Sequence, residues 1–181
     1  MKHLFPRRPA PVALVAALSL LILALPAAAD EPGTPRIEIV NARTPLPGVL
    51  SGGQVTEEQL AEAAAAGFRT VVNLRTSEEP LDWNEPARVE ELGMRYVSLP
   101  IAGAAGVTRD NAEKLARILE KAERPLLLHC GSGNRIGALF ALQAYYLEGE
   151  APETALRIGL DAGLTKLEPK VREVLGLPAE E

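Results

Sequence analysis

The sequence predicts an α/β fold: three layers, with a central, mainly parallel sheet of four to five strands flanked by helices. Three observations carry this. Short apolar or β-branched runs alternate with helical stretches from residue 49 onward. The runs at 69–74 and 126–129 are apolar enough to be buried on both faces, as strands of a parallel sheet are. The chain has 181 residues, of which 47% are hydrophobic and 24% charged. That suffices for one domain plus an appendage, and no internal repeat or second domain is visible.

The appendage comes first. Residues 1–29 read as a secretory signal: Lys2, Arg7 and Arg8 form a positive start, and an apolar run follows from Val12 to Leu25. Pro26 then ends any helix, and Ala27-Ala28-Ala29 supplies the small residues a signal peptidase needs before Asp30. The run is shorter than the ~20 residues of a spanning helix. An uncleaved anchor is the competing reading. Cleavage would leave 16 basic residues of the original 19 against 24 acids, a net charge of −8. The expected location is periplasmic or secreted, with no stable membrane insertion after cleavage.

Residues 30–36 read as a flexible leader, and 37–40 as a short strand. Two prolines and a glycine make 44–48 a loop or edge. Thr56 and Gln59 form a capping box for an alanine-rich helix to about residue 66, with Gly67 ending it. A buried strand at 69–74 leads into a polar loop, 75–82. Pro86 suits the first turn of a helix ending at Gly93. A strand at 95–99 and a small-residue loop at 101–107 follow. Thr108 caps a helix of about 109–123, with Leu115, Ile118 and Leu119 on one face. Pro125 stops it before the apolar strand 126–129. A helix from Ile136 to about Glu148 is apolar nearly all round, hence central. Two more helices are expected after Pro152 and near Pro169. The domain proper is expected over 48–178.

Composition excludes several functions. The single cysteine forbids an intrachain disulfide, and the two histidines with it cannot close a Cys/His zinc site. The acidic balance, without a basic stripe, argues against nucleic acid as a partner. An unpaired thiol in an exported protein is conspicuous, because structural cysteines there usually have partners.

That thiol sits in the segment His129-Cys130-Gly131-Ser132-Gly133-Asn134-Arg135, between a buried strand and a helix. Backbone N–H groups at a helix start bind anions, and the helix dipole adds partial positive charge. The same field favours thiolate over thiol and makes Cys130 a nucleophile. Arg135 is able to grip two oxygens of a tetrahedral oxyanion. The glycine spacing fits neither a dinucleotide fingerprint nor a Walker loop. The bland alternative is a small buried cysteine at a strand end.

From about Gly48 to Gly149 the chain resembles the phosphatase-like domains of bacterial beta-lactamase hydrolase-like proteins, within the cysteine-dependent protein tyrosine and dual-specificity phosphatases. The stretches that carry the likeness are SGGQVTEEQLAEAAAAGFRTVVNLR, GMRYVSLPI and LLLHCGSGNRIGAL. The resemblance implies a cysteine-dependent phosphatase fold and a thiophosphate intermediate on Cys130. Arg135 and the amides of Gly131, Ser132, Gly133 and Asn134 would hold the phosphate, with His129 hydrogen-bonding nearby backbone. No cofactor is implied. The partner would be a phosphorylated protein or a small phosphate ester.

Three departures from the family pattern stand out. Four residues, not five, separate Cys130 from Arg135, which is the spacing of rhodanese-like sulfurtransferases. Ile136 lacks the hydroxyl usually found after the arginine. No acid is obvious: Asp110 is the candidate proton donor, although an Asp there also suits a helix start. Asn73 and Arg75 end a buried strand on the ligand side of a parallel sheet, so both are candidates for the anion. A surface salt bridge would equally suit Arg75. Glu78, Glu79 and Trp83 in the following loop would rim the pocket. A persulfide-carrying sulfurtransferase and a non-catalytic anion-binding module remain as alternatives.

Overall fold

The computed structural model describes residues 33–179, so the signal-like segment 1–29 lies outside the described residues. The elements run β1 (Arg43–Leu46), β2 (Val49–Gly52), α1 (Glu57–Ala65), β3 (Thr70–Asn73), α2 (Glu85–Glu91) and β4 (Arg95–Ser98). A 3₁₀ turn (Gly103–Gly106) precedes α3 (Arg109–Lys121), β5 (Leu126–His129), α4 (Asn134–Tyr146), α5 (Pro152–Asp161) and α6 (Glu168–Leu175). The strands form one sheet in the order β1-β2-β5-β3-β4. All neighbours are parallel except β1 and β2.

β5 lies at the centre because it is the most apolar strand. Leu126, Leu127 and Leu128 have no exposed surface, and each contributes about 1.5–3 kcal/mol of transfer free energy. Successive side chains in a strand point to opposite faces. Leu126, Leu128 and Cys130 thus join a core packed by α3, α4, α5 and α6. Leu127 faces the other core, with Leu60 and Ala63 of α1 and Val89 of α2.

Two differences from the sequence reading concern the N-terminal edge. Residues 37–40 are not a strand. The first strand is 43–46, which pairs with β2 through the turn at Pro47-Gly48, where Gly48 takes φ +71°. Pro45 is tolerated because β1 is an edge strand. The segment before it is nevertheless tied down. Ile39 is buried, Gly53 N donates to Val40 O at 2.7 Å, and Gly48 N donates to Thr34 Oγ1 at 2.8 Å.

α4 is buried continuously from Ile136 to Ala144. It meets α5 without side chains between them at one point. A Cβ on Gly137 would lie 2.5 Å from Gly159 O and 2.1 Å from Leu164 N, so only glycine fits.

Candidate active site

The ring starts where β5 ends. Pairing continues just beyond the strand, with Cys130 N donating to Gly52 O at 3.3 Å. Gly133 takes φ +85°, which lets the chain fold back so that its N–H donates to Cys130 Sγ at 3.1 Å. Helix α4 starts at the next residue. The outer side of the ring is braced by neighbours: Gln54 N donates to Gly131 O at 3.2 Å, and Asn41 Nδ2 to Ser132 O at 3.1 Å. The Asn134 side chain accepts from Thr165 N at 2.8 Å and Leu167 N at 3.2 Å, pinning the loop between α5 and α6 to the ring.

Arg135 lies across the mouth. Its Nη1 donates to Leu74 O at 3.3 Å and Ile101 O at 3.2 Å, the loops that follow β3 and β4. Glu79 takes the terminal edge of the guanidinium, at 2.5 Å to Nη1 and 2.6 Å to Nη2. None of these bonds uses Nε. Glu79 is itself fixed: Thr76 N donates to its Oε1 at 3.0 Å, and Arg75 lies 3.7 Å from its Oε2. The hydrogen bond from Arg135 is the main reason the Glu79 carboxyl is pulled down to about 2. The Glu79 hydrogen bond in turn pushes Arg135 above its ordinary value, with the nearby Cys130 sulfur adding to it against the cost of burial.

A cavity of about 540 Å³ opens over this arrangement, with Ser132, Asn134 and Arg135 on one side, Ala102 and Gly103 on another, and Thr76, Glu78 and Glu79 on a third. Cys130 is 1% exposed. Of the two carboxylates on the cavity wall, Glu79 is committed to arginines, whereas Glu78 is exposed and has no ion pair among the described residues.

Several of the expected site residues lie elsewhere. Asp110 is not on the cavity wall; its carboxylate is 69% exposed and pairs with Lys114 at 2.6 Å. Arg75 spends its guanidinium on the Glu79 carbonyl at 2.5 Å and carboxylate. Asn73 and His129 share the α2 face of the sheet, the face opposite to Cys130. There Asn73 Nδ2 donates to Glu85 Oε2 at 2.8 Å and to the Tyr96 hydroxyl at 3.0 Å. His129 Nε2 approaches Glu85 Oε1 to 2.6 Å, both side chains being almost fully buried. No hydrogen bond joins the two, and both ring nitrogens and Glu85 Oε1 lack one. A groove of about 470 Å³ lies outside this cluster, lined by Arg75, Trp83, Glu85 and Tyr96 among others.

Neither the pairing of Glu79 with Arg135 nor the role of Glu85 is legible in the sequence. Glu85 reads locally as an acidic residue in a first turn, which is ordinary helix-dipole chemistry. Its one unusual signal is the burial that the Asn73 and His129 contacts impose.

A parallel-sheet α/β core, with a buried-strand cysteine and an arginine closing the ring before a central helix, defines a phosphatase-like fold of the dual-specificity and tyrosine type. The chain belongs to the family described as DSP-PTPase phosphatase fused to NAD+ kinase, whose model matches residues 41–163. It is similar to beta-lactamase hydrolase-like proteins from two Xylella fastidiosa strains. One is 29% identical over 111 residues and the other 30% over 94, covering 59% and 50% of this chain. The chain spans only 24% and 22% of the length of these curated relatives. The resemblance read from the sequence is thereby borne out. Among solved structures, P. aeruginosa TpbA in complex with phosphotyrosine matches with a TM-score of 0.55 at 18% identity, covering 82% of this chain and 99% of that one. Tk-PTP in its active form matches with a TM-score of 0.55 at 21% identity, over 74% and 95%. At these identities the likeness is one of fold.

Proposed function

We propose that this chain is a cysteine-dependent phosphatase that hydrolyses phosphomonoesters, on protein or on small molecules, through a thiophosphate on Cys130. The observation that carries the reading is the guanidinium of Arg135. Glu79 and the Leu74 and Ile101 carbonyls hold it in one orientation close to the Cys130 sulfur, so a phosphate bound at the ring meets a preorganised cation. The Cys130 thiolate attacks phosphorus, an S–P bond forms and the ester P–O bond breaks. Glu78, the unpaired carboxyl on the cavity wall, gives its proton to the departing oxygen and takes one back from the water that then cleaves the S–P bond. In this reading Asp110 has no part in the chemistry. The enzyme works in the periplasm or outside the cell, an assignment that rests on residues 1–29 alone.

An aryl phosphate assay tests the proposal. Cys130→Ser is expected to have no turnover above background, and Arg135→Met to lose about 10²–10³-fold in kcat. Asp110→Asn is expected to stay within about twofold of wild type, since surface substitutions seldom reach a distant site. Glu78→Gln is expected to slow poor leaving groups by about 10²-fold and activated ones little. Transfer of sulfur from thiosulfate to cyanide, with a persulfide on Cys130 and no phosphate release, would overturn the reading. The four-residue spacing of the ring is the feature that makes this control necessary.

A further inference from the structure

The buried carboxylate of Glu85 serves none of the steps above, yet it touches the residue next to the nucleophile. We infer that Glu85 is a positioning residue for Cys130, acting through His129. The claim rests on the phosphatase reading only for its turnover measurements, because the geometry concerns the cysteine itself.

Glu85 sits in the first turn of α2 and is 3% exposed. Its Oε2 is anchored by Asn73, which the Tyr96 hydroxyl contacts from β4. Its Oε1 lies 2.6 Å from Nε2 of His129, whose side chain has no exposed surface. A carboxylate oxygen at that distance confines the imidazole ring from the α2 side and so restrains the end of β5. His129 is the last residue of β5, and the Cys130 backbone follows it directly. Asn73 and His129 are register partners in the sheet, so the cluster spans two strands and a helix at the root of the ring. A buried carboxyl group needs polar neighbours, and Glu85 has them in Asn73 and in the residue that precedes the nucleophile.

The test compares Glu85→Gln, which keeps shape and loses charge, with His129→Gln and the double variant. Circular dichroism on each full chain establishes that it folds, and Glu85→Asp is made in parallel to restore the charge. The first readout is the rate at which iodoacetamide alkylates Cys130 across pH 5–9, which needs no phosphatase activity. Glu85→Gln is expected to slow alkylation at neutral pH by about tenfold, within what a small misplacement of a nucleophile costs. It should also lower kcat on an aryl phosphate in proportion while leaving inhibition by inorganic phosphate nearly unchanged. In the His129→Gln background the Glu85 change is expected to add nothing. Alkylation equal to wild type, or a full additional loss in the double variant, would overturn the inference. If wild type released no phosphate but the alkylation pattern held, the functional reading would fail and this one would stand.

Discussion

Among the hydrogen-bond partners of Arg135, Leu74 and Ile101 offer carbonyls and Glu79 offers a carboxylate. Glu79 has its carboxyl pulled from 4.5 to about 2, chiefly by its hydrogen bond from Arg135. A depressed native value means that the ionised form favours the folded state. This contribution is complete above about pH 4.5 and is lost as pH falls from there to about 2. The melting-temperature gap between wild type and Glu79→Gln should be constant above about pH 5 and close on acidification toward pH 2. A gap unchanged down to pH 2.5 would mean that Glu79 adds nothing through its charge. At this scale the sequence was informative about Cys130, Gly133 and Arg135, because one loop holds all three and their chemistry is local. It was uninformative about Glu79 and Glu85, whose partners lie 56 and 44 positions away and leave no local pattern. Asp110 has a chain position that suits a proton donor, but its side chain faces Lys114 and solvent.

Among the elements, β5 matches its expected limits, with Pro125 stopping the helix before it. α4 starts two residues earlier than the apolar pattern suggests, because Asn134 and Arg135 are helical although polar. The edge was read less well. A Thr-Pro-Leu-Pro stretch has no strand signature, and only the Pro47-Gly48 turn and the free edge of β2 make it one. The Gly137–Gly159 contact sets how closely α4 and α5 approach, and through Leu164 it positions the loop that Asn134 pins. Gly137→Ala would force a methyl into backbone. A loss of about 3 kcal/mol is expected, near the top of the range for overpacking, with Cm in urea falling at constant m. An unchanged Cm would show that the two helices separate freely.

Across the whole molecule, the segment before β2 behaves as part of the domain, not as a leader. Ile39 fills space beneath Gly52, Val40 accepts from Gly53, and Asn41 braces Ser132 of the ring. A chain starting at Gly48 is therefore expected to melt several degrees lower than one starting at Asp30, and to bind phosphate more weakly; titration calorimetry and thermal unfolding measure both. Equal stability and affinity would show that residues 33–47 add nothing to the domain. The fold class was legible because alternation of strands and helices is a global pattern, whereas this docking depends on contacts across the chain.

Arg135 is tied to Leu74, Glu79 and Ile101, which precede it by 61, 56 and 34 positions. A polypeptide still emerging from the ribosome has none of these knots. Its cysteine then sits on a slack thread with no oriented guanidinium nearby. The arrangement around Cys130 arrives in the same cooperative event that closes the sheet, so the site exists only once the chain has finished folding.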